Sequence, residues 1–477
     1  MESTHNNYKP LSRFTKIIYG TGDLGLASWG TLRQIFYAIF LTDVVGLEAR
    51  LASVAALIGL IWDAINDPLV GILSDKVQSK WGRRRPFLLI FSIPFGLAFL
   101  LMWWAPPWEN QIVLAVHMML AYIISDTLQT LVAVPFYTLT PEMTPDYDER
   151  TELTTYRMFF NLVMSLVVAV GASEIRNAAL AAGLTSSQSY LLIAGLFGGL
   201  GTIPFMLIFF FVRERHSEPA EKTPSIKEIS ETVWQNIPFR FATGLYMLNW
   251  MTVDLVALML PFFLTYWIAQ GNLAAELSIA GMSLSIESVI LGLMFITAII
   301  ALPFWNWISK ITSKRKAYIS GMLFWMVVQI LIITVQPGQT IYILVLAVLA
   351  GISVSTAHVL PEAIFPDVIE WEELRSKQRH EGLYYGTKNF LRKLTGAVAT
   401  FIALQALGWF GYQSPSEGAV IFQQSDSAVL TIRLLTGPFG AILLLSSIVI
   451  AWFYPLTREK HSRIRKLLAK RQNRSNS

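Results

Sequence analysis

The sequence predicts an all-α membrane protein of twelve helical spans arranged in two halves, and three observations predict it. Only 14% of the 477 residues are charged and 54% are hydrophobic, whereas about a quarter of a soluble domain is charged. Apolar runs recur in blocks of roughly 20 residues or more, the length that crosses a bilayer as helix, and the alternation of a membrane β-barrel is absent. Lys and Arg concentrate in alternate connecting loops, the asymmetry that orients helical membrane proteins.

The spans read, to within a few residues, as 17–42, 51–74, 86–106, 111–140, 154–175, 189–212, 240–269, 279–304, 316–335, 340–369, 382–410 and 427–454. Several are longer than the bilayer is thick, which implies tilt or extension into the cytoplasm. Met1 to Lys16 is hydrophilic, and the apolar run behind it outlasts the core of a secretory leader, so none is read here.

One set of loops holds Lys9, Arg13 and Lys16; Lys76, Lys80, Arg83, Arg84 and Arg85; Arg213, Arg215, Lys222 and Lys227; Lys310, Lys314, Arg315 and Lys316; and Arg375, Lys377 and Arg379. The tail from Thr457 adds eight more, from Arg458 to Arg474, while the opposite loops hold little beyond Arg50 and Arg176. The positive-inside rule then places both termini in the cytoplasm of a multi-pass protein of the cell membrane. The net charge of +5 lies in these loops and the tail, so it argues topology and no nucleic-acid partner.

A polar segment over residues 214–238, with Pro219 and Pro224, divides the chain. The expected organisation is a first six-helix bundle (1–213), a cytoplasmic linker (214–238), a second bundle (239–456) and a basic tail (457–477). Two internal echoes support a duplication. Pro141-Glu142-Met143-Thr144-Pro145-Asp146 resembles Pro361-Glu362-Ala363-Ile364-Phe365-Pro366-Asp367, and Ser74-Asp75-Lys76-Val77-Gln78-Ser79-Lys80 resembles Ser309-Lys310-Ile311-Thr312-Ser313-Lys314.

Within the second span, Trp62-Asp63-Ala64-Ile65-Asn66-Asp67-Pro68 puts two carboxylates and an amide at membrane depth. Asp63 and Asp67 are four residues apart and share a helix face with Asn66 beside them. Bare carboxylates in hydrocarbon are costly and mark a functional site. A small cation, Na⁺ or H⁺, removes the cost, and oxygen ligands suit a hard ion. Pro68 frees a carbonyl on the preceding turn. A polar cleft holding water or a basic partner is the plain alternative.

Gly71 to Lys76, followed by Trp81-Gly82-Arg83-Arg84-Arg85-Pro86, forms a second marker. Its glycine, acid and basic turn fit a conformational gate at Asp75, Arg83 and Arg84, or simple interfacial anchoring. Arg157 sits just inside the fifth span, where snorkelling is its plain role. Lys388, Arg392 and Lys393 lie deeper in the eleventh; Lys388 and Arg392 share a face, and Lys393 is displaced from it. At that depth they need a carboxylate, a cavity or an anionic ligand, and Asp63, Asp67, Asp23 and Asp126 are the candidate partners. Asp23 lies among glycines in Tyr19-Gly20-Thr21-Gly22-Asp23-Leu24-Gly25, which permit helix crowding or a break. Tyr137, with Trp29, Tyr37, Trp250, Tyr266, Tyr384 and Tyr385, can stack on a sugar face or anchor at the interface. His358 and Glu362, four residues apart on the tenth span, fit a proton relay, and Asp254 and Glu287 are cavity candidates. The chain has no cysteine, and no phosphate loop, nucleophile elbow or HExxH is present, so neither an ATP-driven pump nor an enzyme is read.

These residues bring a family into view. The chain resembles the glycoside–pentoside–hexuronide:cation symporters of the major facilitator superfamily, the family of melibiose permease. The resemblance is carried by Tyr19-Gly20-Thr21-Gly22-Asp23, Thr42-Asp43-Val44-Val45-Gly46-Leu47, Ile61 to Pro68, Trp81-Gly82-Arg83, Val134-Pro135-Phe136-Tyr137, Asp148-Glu149-Arg150 with Tyr156-Arg157, and Pro366-Asp367-Val368 with Glu381-Gly382 and Lys393. It implies the major facilitator fold, two six-helix bundles around a midplane cavity that work by alternating access. It implies a cation site at Asp63, Asn66 and Asp67, with Thr130 a further ligand, and places Arg157 and Lys393 near the substrate cavity. Tyr137 falls where melibiose permease has a sugar-stacking tryptophan. The two sugar-binding aspartates of that permease fall at Ala27 and Ala133, and the arginine before the cation motif falls at Leu60, which argues against a plain galactoside carrier; Asp23, one turn before Ala27, is a candidate replacement.

The expectation is therefore a monomeric secondary transporter in contact with membrane lipids. It couples Na⁺ or H⁺ at Asp63 and Asp67 (a metal site only if sodium is the ion) to a sugar-type substrate, with no other cofactor. Lys388 and Arg392 hint at an acidic substrate such as a hexuronide, with His358 also at the substrate. Val134-Pro135, Leu139-Thr140 and Tyr156-Arg157-Met158 also resemble the lysophospholipid carriers of animals, so a lipid is the alternative.

Overall fold

A computed structural model describes residues 10–144, 146–214, 235–273, 275–279, 282–376, 381–416 and 421–475. Most of the expected linker and part of the loop holding Lys377 and Arg379 lie outside the described residues.

The described residues are helical almost throughout, and among them eleven helical segments are long and apolar enough to cross a membrane by length and composition. The first span is the exception in that count. It begins as α1 (Arg13–Gly20), breaks at Thr21, resumes as α2 (Gly22–Ile39) and ends in a π turn, Phe40–Val44, and it carries Asp23, Arg33 and Asp43. The glycines explain its path. A Cβ on Gly25 would lie 2.3 Å from the Gly201 carbonyl, so only glycine lets the two backbones meet.

Helices α3 (Ala49–Lys76), α4 (Arg85–Met102), α5 (Gln111–Met143), α6 (Tyr147–Ala181) and α7 (Ser186–Phe211) complete the first half. In the second follow α8 (Ile237–Phe262), with a π turn at Phe263–Ile268, α9 (Ile286–Ile311), α10 (Lys314–Ile332), α11 (Thr340–Val359), α12 (Phe365–Ser376), α13 (Glu381–Trp409), α14 (Asp426–Thr436), α15 (Pro438–Trp452) and α16 (Arg458–Ser475).

Three readings need correction. The eighth span is preceded by an antiparallel hairpin, β1 (Glu276–Ile279) against β2 (Met282–Ser285), which pairs Glu276 with Ser285. The tenth span stops at Val359 and α12 is a separate helix, because Pro361 has no N–H and biases the residue before it away from helix. His358 and Glu362 are thus not one turn apart on a single helix. The twelfth span is broken at Gly437 before Pro438, where a Cβ would come within 2.7 Å of the Gln329 carbonyl.

The residues gather in two compact units, one holding residues through Arg33 and those from Trp62 to the linker, the other holding Gln34–Ile61 and the chain beyond the linker. In the first, α4 packs on α5 and α7, and α6 on α1 and α7. In the second, α9 packs on α11, α8 on α13 and α15, and α10 on α15. The core of the second is aromatic-rich, with Phe239, Tyr318, Trp325 and Phe365 essentially inaccessible.

Candidate functional site

Three constellations in the first unit and one in the second hold the sequence-predicted site residues. The first sits on α3 and α5. Helix α3 runs through Pro68 without interruption, and Asp63 and Asn66 are buried with Asp67 half-buried. Thr130 Oγ1 donates to Asp67 Oδ1 at 3.3 Å, and Asn66 Nδ2 donates to Asp126 Oδ2 at 3.5 Å. Trp62 Nε1 donates to Thr127 Oγ1 at 2.9 Å, fixing the same helix pair. Asp126 and Thr130, four residues apart on α5, are both inaccessible. The cluster is thus built from carboxylate, amide and hydroxyl oxygen. Among the described residues no three side chains drawn from His, Cys, Asp and Glu converge as a metal site, so an ion here would draw on the Asn66 and Thr130 oxygens as well as carboxylate. Asp126, one of four candidate partners for the eleventh-span cations, meets Asn66 instead.

The second constellation ties α2 to α5 and α6. Arg157 Nε meets Asp23 Oδ2 at 2.8 Å, with Asp23 only 1% exposed. The guanidinium lies 4.3 Å from the centroid of the Tyr137 ring and 5.1 Å from that of Phe136. The Tyr137 hydroxyl reaches Asp23 Oδ1 at 3.5 Å. Arg157 is therefore held by an acid and two rings rather than snorkelling to the interface. Ala27 and Ala133, the positions that the resemblance matches to sugar-binding aspartates, are each 4% exposed.

In the second unit, the cations of α13 find acids other than those expected. Arg392 makes a bidentate pair with Asp254 of α8, Nη1 to Oδ2 at 2.6 Å and Nη2 to Oδ1 at 2.8 Å. Gln34 Nε2 also donates to Asp254 Oδ1 at 3.0 Å. Lys388 Nζ reaches both Glu362 oxygens, at 2.9 and 2.7 Å, and lies 5.1 Å from the ring centroids of Tyr246, Phe365 and Tyr385. Trp250 stacks under Arg392 at 4.2 Å and meets His358 edge-on at 4.9 Å. His358 Nδ1 donates to the Val354 carbonyl at 2.9 Å, so its proton is fixed on that nitrogen. Lys393 is half-buried on the flank of this face. Glu287 is buried at the start of α9, and Thr265 Oγ1 donates to it at 3.5 Å. The result is two ion pairs, Arg392 with Asp254 and Lys388 with Glu362, lined by aromatic rings whose faces favour cations.

The gate residues also meet. Arg84, 5% exposed, pairs with Asp75, donates to the Ser74 hydroxyl and lies 3.2 Å from Glu142, while Arg83 reaches Glu142 at 2.6 Å. Glu142, from the first echo, was missed as a gate residue, and so was Glu214. The Glu214 carboxylate accepts from the backbone N–H of Arg83, Arg84 and Arg85 at 2.6, 2.8 and 3.0 Å, capping α4. Gly82 makes room: its φ is 104°, and a Cβ there would lie 2.4 Å from the Glu214 carboxyl carbon. In the second half Lys314 pairs with Asp367 at 2.6 Å, whereas Glu362, the counterpart of Glu142 in the echo, is taken by Lys388.

The profile of a family described as MFS/sugar transport protein matches residues 18–458. An uncharacterized symporter of Synechocystis is 29% identical, over 96% of this chain and 97% of the relative. The sodium-dependent lysophosphatidylcholine symporter 1-A of Danio rerio is 26% identical, over 95% of this chain and 87% of its own. Among solved structures, a point mutant of the nucleoside transporter NupG superposes with a TM-score of 0.66 at 10% identity, covering 92% of this chain and all of that one; at that identity the likeness concerns the fold.

Proposed function

The chain belongs to the MFS/sugar transport protein family, a multi-pass transporter on the major facilitator scaffold, and from that premise we propose that it is a sodium-coupled symporter of an amphiphile with a phosphate-bearing headgroup. The observation that carries the coupling is the contact of Asp67 with Thr130 and of Asn66 with Asp126 across α3 and α5, with buried Asp63 one turn before Asp67 on α3, a set rich in hard oxygen. The relative from Danio rerio is named as sodium-dependent and as a symporter of lysophosphatidylcholine, which supports both the ion and the cargo. Bound Na⁺ neutralises carboxylate on α3, and by linkage whatever state binds the ion more tightly is the state it populates. The paired charges and aromatic rings around Lys388, Arg392, Trp250 and His358 are the headgroup region, where ring faces can meet a quaternary ammonium and a phosphate can compete for the two paired cations. The two six-helix bundles and cytoplasmic termini read from the sequence, with Arg83, Arg84, Asp75 and Glu142 as the cytoplasmic gate, complete the proposal.

A second reading keeps a hexuronide-type sugar. The family description favours it, and Tyr137, 41% exposed, offers a ring to a sugar face. Against it, Ala27 and Ala133 supply no acceptor for sugar hydroxyls, and Asp23 is engaged by Arg157. Uptake into proteoliposomes under an imposed Na⁺ gradient separates the readings. Lysophosphatidylcholine should accumulate and glucuronide should not; accumulation of glucuronide alone reverses the assignment, and equal uptake with and without the gradient removes coupling.

A further inference from the structure

One turn of this chain occurs twice. Phe40-Leu41-Thr42 and Phe263-Leu264-Thr265 each open a π turn, Phe40–Val44 and Phe263–Ile268, at the far end of the first span of its half. A π turn inserts a residue into the helical register and re-aims the side chains that follow, and such turns concentrate at functional sites. After the shared triplet the repeats differ, with Asp43 in one and Tyr266 in the other. Those two residues meet. The Tyr266 hydroxyl donates to Asp43 Oδ2, the Tyr412 hydroxyl donates to Oδ1, and Thr42 Oγ1 donates to Oδ1 at 2.7 Å. Two aspartates at these positions would repel and two tyrosines would lack a strong acceptor, so the divergence of the repeat is what makes the contact.

The surroundings hold the same segments together. The rings of Tyr266 and Tyr412 pack edge-on at 5.6 Å, and Tyr412 packs edge-on against Phe262 at 5.5 Å. Gln405 Nε2 donates to Ser53 Oγ at 2.8 Å. Gly408 of α13 lies so close to the start of α3 that a Cβ would come 2.4 Å from Arg50 Cγ. Gln34–Ile61, which carries Asp43, belongs to the second compact unit. Burial, reinforced by the Asp43 charge, pushes the Tyr412 hydroxyl well above its ordinary range, so it stays a donor across physiological pH.

We propose that Asp43, Tyr266 and Tyr412 form a latch that holds the ends of spans one, seven and eleven together on the side opposite the basic loops and opens once in each transport cycle. The proposal rests on the transporter reading and its orientation. Asp43 is a positioning residue: it touches neither the candidate cation cluster nor the headgroup patch in any contact described above. Hydroxyls on a carboxylate suit a contact that must re-form many times, because donor and acceptor each exchange for water when it parts.

The chain has no cysteine, so single introduced thiols report without background. Ala49→Cys, at a position 3% exposed at the start of α3, reports the latch side. Gly386→Cys, at an exposed position with open space where its Cβ would sit, reports the opposite side. In each background the probe is maleimide, membrane-impermeant for the first and permeant for the second. In Tyr266→Phe with Tyr412→Phe, modification at position 49 should rise about ten-fold, as loss of two hydroxyl bonds implies, and modification at 386 should slow. Tyr412→Phe alone should fall between, and Asp43→Glu should stay nearer to wild type than Asp43→Asn. Equal rates across the series in monodisperse protein overturn the latch, and so does acceleration at both positions, the mark of general loosening. If the double variant does not fold, an unchanged rate in Tyr412→Phe overturns it. A graded series in protein that drives no gradient-dependent uptake keeps the latch and removes the transporter reading.

Discussion

Removing the Asp254 carboxylate should cost far more than removing the whole Asp254–Arg392 pair. Both oxygens of Asp254 are taken by the Arg392 guanidinium, and side-chain exposure is 12% for the acid and 22% for the base. Stranding a fully buried charge costs about 3–5 kcal/mol; the partial access of Arg392 to its surroundings lowers the expectation for Asp254→Asn to about 2–3 kcal/mol. Adding Arg392→Gln removes the stranded charge and loses the Trp250 stacking contact, worth about 0.5–1 kcal/mol. The double variant should therefore sit within about 1 kcal/mol of wild type, while Arg392→Gln alone strands Asp254 at a similar cost of about 2–3 kcal/mol, leaving a coupling energy of about 3–5 kcal/mol in the cycle. Reversible denaturation in mixed micelles, followed by emission of the 15 tryptophans, gives all four corners. If the two single losses simply add in the double variant, the pair is not the closed unit that its geometry describes.

Asp67→Asn should abolish the Na⁺-dependent rise in melting temperature while leaving the sodium-free value within about 1 kcal/mol, since Thr130 can still donate to the amide oxygen; a retained sodium effect would reject the ion assignment. Gly82→Ala should destabilise by about 1–3 kcal/mol through its positive φ and the displaced Glu214 cap, and Glu214→Gln should recover none of that loss in a melting assay. Burial pushes the Asp367 carboxyl above its ordinary 3.8 despite Lys314 and His461. The folded state therefore holds this proton more tightly than the unfolded chain, and its contribution, complete below 3.8, is lost as pH rises through the raised value. Asp367→Asn should flatten that part of the melting-temperature profile against pH.

The fold was largely legible because its signal is local. About twenty apolar residues in a row declare a span wherever they occur, and Asp63, Asn66 and Asp67 declare a shared face by spacing alone. The glycines near Asp23 announced crowding, and Gly20, Gly22 and Gly25 all prove to lie against neighbouring helices. What stayed hidden was pairing at long range. Arg392 and Asp254 are 138 residues apart, and Arg83 and Glu214 are 131 apart, so no window along the chain contains both members. The hairpin before α9 escaped because Glu276 to Ser285 adjoins an apolar run and its strands are only four residues each. The π turns escaped for another reason. They change the register by one residue inside an otherwise ordinary helical pattern, and hydropathy cannot resolve that.

Helices α3 and α5 are joined at two levels, and this bears on how an ion could act at a distance. Deep in the span they meet through Thr130 and Asp67 and through Asn66 and Asp126. Eight residues further along α3, about 12 Å at helical rise, Asp75 holds Arg84; twelve residues beyond Thr130 on α5, Glu142 holds the same arginine. Between the two levels α5 contains Pro135, which removes a backbone bond and lets the helix bend. A change in the spacing of α3 and α5 at the deep level must therefore be absorbed at that bend or passed to the Arg84 pairs. Arg84 is 5% exposed and bound to both acids, so it cannot follow one helix away from the other without leaving a buried charge unpaired. Under the proposed coupling, the ion site and the gate are two ends of one helix pair, and whatever part of a shift at Asp67 the bend does not absorb reaches Arg84.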